Sequence, residues 1–140
     1  MNAIRKTRLL VAPALAALLV TACGNSYNSV PRDWISKKYP SSGFREYRAD
    51  NQPPYSVADA INSHSKARDR ISRGGKVFLR YRDDIVAVSP HVSLQGTGSR
   101  IEIESYSRGY QRWRSDVGRQ WPSSNNSGGG FRGGGPGSGK

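Results

Sequence analysis

The chain has 140 residues, with 22 Lys or Arg against ten Asp or Glu, for a formal charge of +12. Its mean hydropathy is −0.68. A single cysteine excludes an internal disulfide framework, and two histidines leave few metal ligands.

The chain opens "MNAIRKTRLLVAPALAALLVTACGNS". Arg5, Lys6 and Arg8 form a positive segment free of acidic residues, and Leu9 to Ala22 is an apolar run of 14 residues interrupted only by Pro13 and Thr21. That run is too short to span a bilayer and has the length of a signal-peptide core, with small residues at its end. "VTAC" resembles the lipobox of bacterial lipoproteins: Val20 is the aliphatic residue, Thr21 and Ala22 the small ones, and Cys23 the cysteine. The resemblance implies that the Cys23 thiol receives a diacylglyceryl group and that cleavage makes Cys23 the N-terminus. The competing reading is a secreted protein cut after Ala22 with Cys23 incidental. On the lipoprotein reading, residues 1–22 are the signal peptide and 23–30 a tether. Its seven residues after Cys23, "GNSYNSV", reach at most about 25 Å.

Removing residues 1–22 takes three basic residues and no acidic one, leaving 19 basic against ten acidic, a charge of +9. Residues 31–121 are expected to form a single domain, enough for one small core. "SVPRDWISKKYP" predicts a short helix started near Pro31 and stopped by Pro40. "GFREYRA" (43–49) predicts a short strand, and "DNQPP" a break. In "SVADAINSHSKARDRISRGG" the spacing of Val57, Ala60, Ile61, His64, Ala67 and Ile71 predicts the main helix, with Ser56 and Asp59 as a capping box and Gly74–Gly75 as the stop. "KVFLRYRDDIVAVS" predicts a hairpin of Lys76–Tyr81 and Ile85–Ser89, turning at Arg82–Asp84 and closed by Pro90. "VSLQGTGS" reads as a loop, and "RIEIESY" (100–106) as a strand with Ile101 and Ile103 on one face and Arg100, Glu102 and Glu104 on the other. "RGYQRWRSDVGRQWP" reads as a short helix or ordered loop. Residues 122–140 are glycine-rich and expected to be disordered. The expected fold class is α+β: a small antiparallel sheet of three or four strands with one main helix.

"CGNSYNSVPRDWISKKY", "SVADAI", "VFLRYRDDIVAV" and "IEIESYSRGYQRW" together resemble a family of small bacterial lipoproteins known only as a domain of unknown function. The resemblance covers residues 23 to about 121. It implies no activity, ligand or catalytic residue.

Catalytic constellations are scarce. "GGGPGSGK" at 133–140 has the outline of a phosphate loop, but it lacks the preceding strand, the following helix and the Ser/Thr after Lys140. His64 reads as a partly buried residue of the main helix, and His91 as an exposed loop residue. Asp83 and Asp84 are adjacent, which favours turn chemistry over a converging acid pair. Glu102 and Glu104 share a face on which Arg80 and Arg82 of a neighbouring strand are expected to pair with them. Ser63 and Lys66 match S-x-x-K only as "SHSK", without the companion motifs. No catalytic, cofactor-binding or metal-binding residue is assigned, and Cys23 is the one site, for lipid. The sequence favours a non-catalytic, lipid-anchored envelope module on the extracytoplasmic face of the cell membrane. Anionic lipid headgroups or wall polymers are its candidate partners, nucleic acid is not expected, and a protein partner is unspecified. The alternative is a cell-wall or envelope hydrolase with an unrecognised site.

Overall fold

The computed structural model describes residues 28–125. The signal segment, Cys23 and the first part of the tether, and the glycine-rich stretch from residue 126 onward lie outside the described residues, as does the phosphate-loop outline. In chain order the elements are α1 (Arg32–Lys38), β1 (Ser41–Gly43), β2 (Glu46–Asp50), α2 (Pro54–His64), β3 (Asp69–Arg73), β4 (Lys76–Arg80), β5 (Asp84–Ser93), β6 (Gly96–Ser105), α3 (Tyr106–Arg112) and α4 (Arg114–Val117).

The six strands make one antiparallel sheet in the order β1-β2-β6-β5-β4-β3. This corrects the expectation of three or four strands under one main helix. The described residues form a sheet with several short helices, and three local misreadings account for the difference.

The first misreading is the length of α2. It ends at His64, and Asp69–Arg73 is a strand. Ala67 and Ile71 fall at helical spacing by coincidence. The Asn62 side chain accepts the Ala67 N–H at 2.9 Å, and Arg68 N–H bonds to Arg80 O at 2.7 Å, which turns the chain into the β4 ladder. Gly74 and Gly75 have φ of 58° and 76° and form the two-residue turn of the β3–β4 hairpin, where both central residues need positive φ. They are not a helix stop. Ser56 lies inside α2, whose N-cap is Pro53 with no side-chain cap bond, so the capping box does not form.

Second, Pro90 does not end its strand. β5 runs on to Ser93 and pairs with β6 through Ser93↔Gly96, so most of the expected "VSLQGTGS" loop is a long hairpin. The last β4–β5 partners are Val77 and Val88. By the alternation of the ladder, the Pro90 nitrogen faces the side where β4 has already ended, so its missing N–H interrupts no bond. Third, β1 is three exposed residues, Ser41–Gly43, with no apolar signal of its own. A two-residue turn at Phe44–Arg45 folds it onto β2, with Arg45 at φ 57°.

Both faces of the central strands are covered. Val77, Leu79, Val86, Val88, Ile101 and Ile103 point to one face and pack with Ile35 and Tyr39 of the α1 segment and Val57, Ala58 and Ile61 of α2. Ile71, Phe78, Ile85 and Ala87 point to the other and pack with Tyr106, Trp113, Val117 and Trp121. The α3–α4 segment, which the sequence left as helix or loop, is therefore the lid of a second core. Beyond Trp121 the chain remains tied to the domain. Tyr106 Oη donates to Pro122 O at 2.6 Å, and the Asn125 side chain accepts from Arg80 and donates to the Tyr81 and Arg82 carbonyls.

Two predictions concern this packing. Gly109 is buried where α3 meets the sheet, and an added Cβ would lie 2.8 Å from Trp113 Cζ3 and 3.1 Å from Ile85 Cβ. A helical Gly→Ala normally gains about 1 kcal/mol of propensity, but overpacking costs about 1–3 kcal/mol. Gly109→Ala is therefore expected to lower stability in urea unfolding, and a gain would show that the α3 packing yields easily. Ending the chain after Trp121 removes the Pro122 and Asn125 bonds, each worth about 1 kcal/mol. That truncation is expected to melt at least about 5 °C below a chain ending at Asn125. Equal melting temperatures would show that these bonds contribute nothing.

Candidate functional site

Alternation along β6 sends Ile101 and Ile103 into the first core, so Arg100, Glu102 and Glu104 point to the opposite face. The α3–α4 lid covers that face over β3, β4 and part of β5, and α3 reaches the near end of β6. Toward β2 it is open and charged. Register places Glu46 opposite Glu102 and Arg48 opposite Arg100, two like-charge oppositions that would each destabilise the sheet alone. The neighbours offset them. Arg100 Nε lies 3.4 Å from Glu46 Oε1. Arg112 of α3 reaches down to Glu102 at 2.6 Å and Glu104 at 3.7 Å. Arg80 and Arg82 do not fill that role, which corrects the expected cross-strand pairs. β6 lies between β5 and β2, not beside β4, so Arg80 bonds Asn125 and Arg82 bonds Asp83.

His91 is on this face too, in β5 rather than in a loop. Its Nδ1 is 3.3 Å from Arg100 Nη2. An Nδ1 that accepts from arginine leaves the ring proton on Nε2. That atom is buried and meets no partner among the described residues, as is also true of Arg48 Nε. His64 lies on the other side of the sheet, exposed at the end of α2. Its ring stacks on Trp34 at 4.7 Å, with Lys38 Nζ 4.8 Å above the same indole. It is a packing partner on the surface of the first core.

The β4–β5 turn closes through Tyr81 N–H to the Asp84 main-chain carbonyl at 2.9 Å, so the aspartates sit at the turn but their carboxylates serve arginines rather than the turn backbone. Asp83 pairs with Arg82 at 2.9 Å, and Asp84 with Arg32 at 2.8 Å. Burial pushes the Asp84 carboxyl above its ordinary range, more than the Arg32 charge and hydrogen bond lower it. Burial likewise raises the Tyr81 phenol, whose hydroxyl donates to Ser65 O at 2.8 Å.

Asp84, Glu102 and His91, the ionisable groups a hydrolase site could draw on, are not brought together. Asp84 faces Ser105 in the β5–β6 register, Glu102 faces Ala87 and His91 faces Gly98. At about 3.4 Å per residue, His91 is about 24 Å along β5 from Asp84. A shallow cavity of about 370 Å³ takes in Asp83 with Arg82, Ser105, Tyr106, Ser107 and Asn125, and excludes Asp84, Glu102 and His91. Another of about 290 Å³ is lined by Asn51, Gln52, three prolines, Thr97 and Gly98, with no ionisable side chain. Among the described residues, no group of three His, Cys, Asp or Glu could hold a metal ion, and no helix is long and apolar enough to cross a membrane. Sequence reasoning missed Arg112 as the partner of both glutamates. Its only signal was "YQRWR" in a segment whose packing against the sheet is not local.

The described chain is a small sheet-centred module with one half-open, internally neutralised charged face. A family described as "Domain of unknown function (DUF4247)" matches residues 16–140, and the chain belongs to that family. No curated protein and no solved structure matches it.

The Asp84 environment predicts a pH signature. A native carboxyl that holds its proton more tightly than the unfolded one contributes stability that is complete below the unfolded value and is lost as pH rises through the native one. The stability of the parent relative to Asp84→Asn is therefore expected to fall as pH rises through and above the ordinary carboxylate range. Denaturant unfolding at stepped pH measures it. A parent that gains on the variant over that range would mean that Arg32 outweighs burial.

Proposed function

We propose that the protein is a non-catalytic, lipid-anchored lipoprotein of the bacterial cell envelope, a basic interaction module held on the extracytoplasmic face of the membrane by Cys23. One observation carries the reading: the only cysteine of the chain stands at the end of "VTAC", after a positive segment and a 14-residue apolar run. Two acyl chains make such an anchor stable, whereas one gives only marginal binding. The described residues support the module reading through what their acidic and imidazole groups do. Asp83, Asp84, Glu46, Glu102 and Glu104 each hold an arginine, and His64 stacks on Trp34.

The charge is a second support. Residues from 23 onward carry +9, which in an envelope compartment favours anionic lipid headgroups or wall polymers over nucleic acid.

The test is metabolic labelling with a fatty acid in bacteria expressing the parent or Cys23→Ser, followed by fractionation. The parent is expected to take up label and sediment with membranes. Cys23→Ser should lose the label and shift to the soluble or secreted fraction. An unlabelled parent, or equal membrane retention of both, overturns the anchor.

A further inference from the structure

We infer that one pole of the domain, the one formed by the β1–β2 and β4–β5 turns, is a membrane-docking surface in which Phe44 enters the interface of an anionic bilayer and Arg45 meets its phosphates. The inference rests on the lipid anchor at Cys23 and names the surface the anchor presents.

The domain receives the chain at this pole. Asn28 O accepts the Arg82 N–H at 2.8 Å, and Ser65 Oγ donates to Ser29 O at 2.7 Å. Only four residues lie between Cys23 and Asn28, a reach of at most about 18 Å over five residue steps. Whatever the path of those residues, a lipid on Cys23 holds the Arg82 corner within that distance of the bilayer. The opposite pole, the Leu94–Gln95 turn, is a full ten-residue strand away along β5, about 34 Å at strand rise.

The Phe44–Arg45 turn belongs to the tethered pole. Ile103 N–H bonds to Arg45 O at 3.0 Å, and the Arg45 charge acts on the Asp84 carboxyl two strands away. Phe44 is 87% exposed, and Arg45 lies with its guanidinium carbon 5.0 Å above the Phe44 ring. Aromatic and cationic side chains paired in this way suit the headgroup layer, where the ring meets acyl carbon and the guanidinium meets phosphate. Arg45 also has a positive φ, which glycine would adopt without steric cost. A charged residue there is a local backbone disadvantage that a surface role explains.

Charge at the pole is complementary to an anionic bilayer. Asp83 and Asp84 are matched by Arg82 and Arg32, while Arg45 and Lys66, beside the tethered Ser65, make no ion pair among the described residues. Leu94 is more exposed than Phe44 but sits at the far pole, which makes it the internal control.

The full chain, purified from the membranes of an expressing bacterium, is placed in vesicles of equal phosphatidylglycerol and phosphatidylcholine, or of phosphatidylcholine alone. A photoactivatable benzophenone side chain replaces Phe44 or Leu94. Lipid adducts are expected to be at least about fivefold more frequent at position 44 than at 94, and to fall about fivefold in phosphatidylcholine alone or on Arg45→Gly in the anionic vesicles, the worth of one charge near the surface. Arg45→Gly relieves the positive φ, so a folding defect does not account for its loss. The mass of the N-terminal peptide in the same sample reports the Cys23 lipid. A lipid-modified Cys23 with adducts at 94 as frequent as at 44 overturns the docking pole and leaves the anchor standing. An unmodified Cys23 with adducts concentrated at 44 supports the pole and removes the anchor.

Discussion

Ile85, Val86, Ala87 and Val88 are buried in succession. A strand sends successive side chains to opposite faces, so four buried residues in a row require cover on both sides of β5. Much of the architecture answers that requirement. The α1 and α2 segments close one face over Val86 and Val88, and the Tyr106–Trp121 segment closes the other over Ile85 and Ala87. Fully burying a side chain of the Val, Ile or Phe kind is worth about 1.5–3 kcal/mol. Seven of the eight buried members of the second cluster are at least valine-sized, which makes the short α3–α4 segment a stabilising element despite its weak helical signal.

The cover is incomplete by design of the sequence itself. β4 is apolar on both faces through Val77, Phe78 and Leu79, whereas β6 alternates isoleucine with arginine and glutamate. The second layer of helix is therefore needed over β4 and β5 and extends over β6 only at the α3 end. The boundary falls at Arg112, which belongs to the lid but pairs with the open face. Partly exposed pairs of this kind contribute only about 0.2–1 kcal/mol each. Their effect here is to neutralise two like-charge oppositions that the strand register imposes.

Legibility in the sequence followed how local each signal was. The Lys76–Ser89 hairpin was readable because its apolar runs and aspartate turn lie within 14 residues, and the β6 alternation because it is carried by consecutive positions. β1 was not, since "SSG" has no apolar residue and its pairing depends on the turn that follows. The end of α2 was misplaced because Ala67 and Ile71 continue its period, and only the β4 ladder shows that Ile71 belongs beside Phe78. Pro90 read as a terminator because nothing in the sequence states where β4 ends. At the candidate sites, the turn position of Asp83–Asp84 was legible from residue type. The partner of Glu102 and Glu104 was not, because it comes from a helix whose docking is set by Phe78 and Ile85. Cys23 is the reverse case: its reading comes wholly from the sequence, and it lies outside the described residues.

The distribution of charge decides which surface of the domain can act on a polyanion. A flat basic sheet face would be the natural guess from a charge of +9 after residue 22. The open face does not fit that guess, because its arginines Arg100 and Arg112 are paired with its three glutamates. Opening those pairs to a competing phosphate would expose carboxylates that repel it, so this face gains little from an anionic surface. Arg48 on the same face makes no ion pair, but its Nε is buried, and other cations without an ion pair among the described residues lie elsewhere. Arg108, Arg114 and Arg119 are on the lid, and Arg45 and Lys66 are on the pole where the chain joins the domain. The lid cations sit on elements whose inner side is occupied by the second core, and nothing tethers that side toward a surface. The pole cations are within reach of Cys23. On the proposed Cys23 anchor, so short a tether confines the pole near the bilayer, and attraction between surface charges decays over about 8 Å at physiological ionic strength. Position along the chain, more than the amount of charge, is what makes the four residues between Cys23 and Asn28 matter.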